Sequence, residues 1–155
     1  MSKTHTKGIG KAWVKVFVYD KKGNLVGIIE REGNTFLICG VQTLWNIIAG
    51  NITNWQLGIC VGDGTTPVSN TQTCLQGSNQ ACVNASSVTV NNNTIIVTAT
   101  FGGNQANFTW NEICVAFTNL TCPNCNFACI DRLQTSIGTK QPGFMWTVQM
   151  GLQIT

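Results

Sequence analysis

Between residues 144 and 154 every second side chain is apolar: Phe144, Trp146, Val148, Met150, Leu152 and Ile154, with Met145, Thr147, Gln149, Gly151 and Gln153 in the gaps. An extended strand, whose side chains alternate between two faces, turns that order into one dry face and one uncharged face. A helix would scatter the same six residues around its circumference. The period recurs at residues 12–19, where Ala12, Val14, Val16 and Val18 oppose Trp13, Lys15, Phe17 and Tyr19. Asp20-Lys21-Lys22-Gly23-Asn24 is a turn, and residues 25–31 return as the second strand of a hairpin.

Further strands are expected at residues 57–61, 83–90, 94–101, 108–118 and 129–135, with polar loop at 68–82. Asn91-Asn92-Asn93 joins two β-branched runs, and Asn tolerates the positive φ that a tight hairpin requires. One segment changes period. Val41, Leu44, Trp45 and Ile48 fall at i, i+3, i+4 and i+7, the apolar stripe of a short helix at about residues 41–49, with Gly50 where a C-terminal cap belongs. The predicted fold class is all-β: an antiparallel β-sandwich of about seven or eight strands with one short helix. A single domain spans 12–155, preceded by a flexible basic N-terminal arm at 1–11.

Charge is distributed unevenly. Residues 33–155 carry only five acidic or basic side chains, Asp63, Glu112, Asp131, Arg132 and Lys140. A soluble domain usually has a surface that is roughly 25–35% charged. Here Asn, Thr, Gln, Ser and Gly must replace those residues, giving a surface with little charge repulsion and many hydrogen-bonding groups. That composition predicts a subunit packed against copies of itself. Seven of the nine basic residues lie in the first 32 positions (Lys3, Lys7, Lys11, Lys15, Lys21, Lys22 and Arg31), facing Asp20, Glu30 and Glu32. With few Arg and no basic-aromatic stripe, nucleic acid is not an expected partner. No apolar run approaches the ~20 residues of a membrane span.

The inventory for catalysis is thin. His5 is the sole histidine, and Asp63, Glu112 and Asp131 belong to different elements, so no acid/base pair or nucleophile is expected. Glu112 reads as a hydrogen-bonded sheet or interface residue near Arg132. Gly62-Asp63-Gly64-Thr65-Thr66 lacks the Lys of a phosphate loop and the carboxylates of a calcium cage. It reads as a turn that needs glycine for its backbone angles. No cofactor and no metal are expected.

The eight cysteines, Cys39, Cys60, Cys74, Cys82, Cys114, Cys122, Cys125 and Cys129, are disulfide candidates whose pairing the sequence leaves open. Local bridges within 114–129 and a Cys74–Cys82 loop closure are the expected pairs. Zinc held by Cys114, Cys122, Cys125 and Cys129 is the alternative. So many cysteines without an export signal suggest a thermophilic source or an extracellular destination. Five Asn-x-Ser/Thr sequons, at Asn51, Asn84, Asn92, Asn107 and Asn119, are candidate glycosylation sites, a mild excess over chance.

The order of elements resembles a common type of small virion protein of tailed bacteriophages and related archaeal viruses. It opens with a hairpin, KVFVYDKKGNLVGIIE, followed by a short helix in NTFLICGVQTLWNIIAG. LGICVGDGTTPVSNTQTCL resembles the family's strand and "G-x-G-T-x-x-P" loop; TATFGGNQANFTWNEICVAF and IDRLQTSIGTKQPGFMWTVQMGLQI resemble its later strands. The chain departs from the pattern in its cysteines and in having Thr71-Gln72-Thr73-Cys74-Leu75 in place of an acidic "D-T-x-L". The departures suggest adaptation to harsh conditions.

The resemblance implies a non-enzymatic virus structural protein on the virion surface or in an appendage (decoration, tail or fibre). Its expected partners are copies of itself and other virion proteins. The basic N-terminus has no apolar segment behind it to serve as a signal peptide, so folding in the host cytoplasm before assembly is expected. Two alternatives stand beside this. One is an extracellular filament subunit polymerising by strand donation from the N-terminal arm. The other is a carbohydrate- or receptor-binding module using an exposed Trp13 or Trp55.

Overall fold

The computed structural model describes residues 10–33 and 35–154. In chain order the elements are β1 (Gly10–Tyr19), β2 (Leu25–Gly33), α1 (Ile38–Ile48), β3 (Leu57–Gly62), β4 (Gln80–Asn84), β5 (Ser87–Asn91), β6 (Thr94–Phe101), β7 (Thr109–Phe117), β8 (Ala128–Cys129), β9 (Leu133–Thr139) and β10 (Met145–Ile154). The fold is an all-β sandwich of two five-stranded antiparallel sheets with one helix among the described residues. The first sheet runs β2-β1-β10-β6-β5; the second runs β4-β3-β7-β8, with β9 also pairing β7.

Ten strands replace the expected seven or eight because two predicted runs are broken. Residues 83–90 were expected to form one strand. Instead Ala85 and Ser86 carry the chain from β4 in the second sheet to β5 in the first. The run at 129–135 is interrupted at Ile130–Arg132, where segment 35–37 pairs alongside: Leu37 N donates to the Ile130 carbonyl at 2.9 Å and Arg132 N to that of Thr35 at 3.0 Å. Gly10 and Lys11, assigned to the arm, are instead the start of β1, opposite Ile154 and Gln153. The rest of the predicted arm, 1–9, lies outside the described residues.

The hairpin turn at Asn92 adopts φ +56° and joins β5 to β6 in register. The helix is offset by three residues at its start from the expected 41–49, and Gly50 ends it at φ +81°, a conformation without steric cost only for glycine. Its packing face also differs from the expected stripe. Gly40, Val41, Thr43, Leu44 and Ile47 turn inward, whereas Trp45 and Ile48 remain 59% and 67% exposed. Gly40 sets the distance, since a Cβ there would lie 1.8 Å from the Cys129 carbonyl oxygen. Helix and segment 35–37 thus cover the β8 side of the second sheet.

Between the sheets Ala12, Val14, Val16, Val97, Ala99, Val148 and Met150 of the first meet Ile59, Val61, Ile113 and Val115 of the second. A register shift in β7 between Trp110 and Glu112 decides which side chain enters this core. In a regular strand these two, i and i+2, would share a face. The bulge sends Trp110 inward, edge-on to Phe101 at 4.9 Å and Trp146 at 4.7 Å. Glu112 is released to the opposite face.

Candidate functional site

Glu112 is buried on that outer face of the second sheet, and it organises the loops that cover it. Its Oε1 accepts from Arg132 Nε at 2.9 Å and from Gln76 N at 2.8 Å. Its Oε2 accepts from Gly64 N at 2.9 Å and Gly77 N at 2.7 Å. Arg132 continues into the covering loop through Nη1, which donates to the Thr66 carbonyl at 2.9 Å and to Gln72 Oε1 at 3.2 Å. Four charge-assisted hydrogen bonds on one carboxylate offset a desolvation that would otherwise cost several kcal/mol per ion.

The glycines of the 62–77 loop have a different purpose from the one expected. Gly62, Gly64 and Gly77 are not among the positive-φ residues. They are needed for space. A Cβ at Gly62 or Gly64 would stand 2.3 or 2.6 Å from Glu112 Oε2, and one at Gly77 would stand 2.1 Å from Asp63 Oδ1. Asp63 itself accepts from Asn79 N at 3.1 Å and Asn79 Nδ2 at 2.8 Å, and the Asn79 bonds hold its carboxyl below the usual range.

Asp131 and Lys140 are buried too. Asp131 Oδ1 accepts from Val115 N at 2.9 Å while Oδ2 has no protein partner, and burial pushes its pKa up to about 7. Lys140 Nζ donates to the Gly102 carbonyl at 2.7 Å and Asn107 Oδ1 at 2.8 Å, and desolvation lowers its pKa. Four of the five charged side chains in 33–155 therefore lie inside, and Asp63 alone is left half-buried at the surface. The sequence pointed to Glu112 beside Arg132. The inward placement of Asp131 and Lys140 had no signal beyond the rarity of charge around them.

The disulfides join Cys39 to Cys122, Cys60 to Cys82 and Cys74 to Cys125. The expected Cys74–Cys82 closure and the local bridges within 114–129 are replaced by longer-range pairs. Cys122 and Cys125 reach away from each other, to the helix and to the 68–79 loop. With both committed, the proposed zinc set of Cys114, Cys122, Cys125 and Cys129 is not available. Cys114 and Cys129 remain buried thiols in hydrogen-bond contact, and desolvation raises the Cys114 pKa well above the usual thiol range. No group of metal-ligating side chains occurs among the described residues.

The five sequon asparagines are all exposed, yet they differ in what their amides do. Asn107 accepts from Lys140 and donates to the Gly103 carbonyl; Asn119 accepts from Gln56 N and donates to the Asn54 carbonyl. Asn84 Oδ1 accepts from Thr118, Asn51 Nδ2 donates to Asn46, and Asn92 sits at the β5–β6 turn tip. Trp13 is half-buried across Gly151, and Trp55 stands edge-on to Phe117 at 6.1 Å.

Fold and loops together define a disulfide-braced β-sandwich in which Glu112, Asp131, Arg132 and Lys140 serve the interior. A scan against protein-family models, a search of curated proteins and a search of solved structures each find no match for the chain. No helix among the described residues is long and apolar enough to cross a membrane.

Proposed function

We propose that this chain is a non-enzymatic structural subunit of a virus particle, repeated on the virion surface or in an appendage and assembled with copies of itself. The supporting observation is the inward placement of Glu112, Asp131, Arg132 and Lys140, which leaves residues 33–155 a nearly neutral exterior. On that exterior Ile38, Trp45 and Ile48 of the helix, Trp55, and Val88 and Val90 are exposed. Neutral polar groups surrounding apolar ones can be covered by a neighbour at low desolvation cost. The viral assignment rests on the hairpin, helix, glycine-loop and closing-strand order that resembles small virion proteins.

A filament polymerised by strand donation is the second reading. It is favoured by the open edge of the first sheet at β5, which can accept a strand. Negative-stain microscopy and sedimentation velocity of the purified protein separate the two. Closed oligomers support a decoration-type subunit, and fibres support the filament. A monomer at high concentration that also fails to bind a preformed shell overturns both.

A further inference from the structure

The two edges of the first sheet are built differently. β2 carries Glu30, Arg31 and Glu32, with Lys21 and Lys22 in the adjoining turn. Charged residues on an edge are a common defence against pairing with another chain. β5, at the other edge, has none. Its sequence is Ser87-Val88-Thr89-Val90-Asn91, every residue is exposed, and no charged side chain occurs anywhere from residue 64 to 111. It also lacks the bulge, Pro or covering helix that shields other edges.

The side chains of β5 are unfinished on one face as well. Val88 and Val90 stand opposite Val97 and Ile95, so they point toward the inter-sheet side, where Val97 is fully buried. Nevertheless Val88 is 44% and Val90 75% exposed, because the second sheet does not extend beneath them. The row of core residues therefore runs off the end of the sheet into solvent.

We infer that the β5 edge is the pairing site for β5 of a second copy, joined antiparallel about a two-fold axis near Thr89. This rests on the self-assembly proposed above and names its surface. In that register Val88 meets Val90 of the other copy on the inner face, and Ser87 meets Asn91 on the outer face. Thr89 meets its own equivalent. Such β-branched and Thr–Thr cross-strand pairs are favourable, and two uncharged strands meet with no repulsion. A head-to-tail contact of β5 with β2 that keeps the inner faces on one side would instead put the valines on the side of Arg31, which stands opposite Val14, with Glu30 and Glu32 on the outer side.

The test is hydrogen exchange of the segment 86–92 in wild-type protein at low and high concentration, with sedimentation velocity of the Val88→Lys/Val90→Lys variant. Exchange in 86–92 is expected to slow at least tenfold as concentration rises. The variant is expected to weaken association at least a hundredfold without moving the thermal midpoint, since both positions are already exposed. Assembly with concentration-independent exchange at 86–92, and a variant that assembles like wild type, overturns the β5 site while leaving self-assembly through another surface intact. A wild-type chain that stays monomeric overturns the inference and the self-assembly proposal together.

Discussion

The two sheets use opposite means to stay folded. In the first, alternate residues of β1, β6 and β10 face the core and the others face outward, so ladder bonds and one apolar face suffice. In the second, β3 is buried at every position and β7 at nearly every one, because loops and the helix cover its outer face. Loops cannot bury enough apolar surface to hold themselves down. They are fixed instead by Glu112 and Arg132 and by bridges from Cys39 to Cys122 and from Cys74 to Cys125. One half of the molecule is reinforced for durability, and the other keeps a face and an edge free. The covered sheet and the open sheet are thereby held by different means.

The strongest way to break this division is at Glu112. Glu112→Ala leaves Arg132 buried without a counter-ion and three backbone donors unpaired, a loss of about 5 kcal/mol or more, read as a collapse of the urea midpoint. Replacing Cys39 and Cys122 together by Ser removes a bridge across a separation of 83 residues, worth about 4.5 kcal/mol by loop entropy. Hydrogen exchange should then accelerate first in the 119–132 loop and the helix, and β1 and β10 should lose protection last.

Asp131 supplies a pH dependence confined to the reinforced half. Its folded pKa of about 7 lies above the unfolded carboxylate value, so the folded state holds the proton more tightly. Stability contributed this way is fully present below about pH 4 and is lost as pH rises through 7. The loss is up to about 4 kcal/mol. Asp131→Asn should flatten the slope of unfolding free energy between pH 4 and 7; an unchanged slope would assign it to another group. The smallest effect is expected on the free face. Ile28→Thr, on exposed β2, should shift stability by no more than about 0.5 kcal/mol in the same denaturation assay.

What could be read from the sequence follows the same division. β1 and β10 were visible because one-sided burial writes itself as alternation, and β2 because the turn at residues 20–24 sends the chain back beside β1. The 83–90 run was not, since Val83, Val88 and Val90 keep a strand-like composition while Ala85 and Ser86 move the chain between sheets. Two-sided burial also concealed the bulge that sends Trp110 and Glu112 to opposite faces. The glycines near Glu112 carried a visible motif with an unexpected cause, steric room for a carboxylate. Cysteine partners depend on which loops lie over which strands, and spacing along the chain does not encode that.

The bridges also change what a protease can achieve. Both long-range bonds end on Cys122 and Cys125, two positions in one short turn, so that turn is tied to the helix and to the 68–79 loop at once. Any single cut between Cys39 and Cys122 leaves the two fragments covalently attached. A nicked chain would run as one band on a non-reducing gel and as two after reduction.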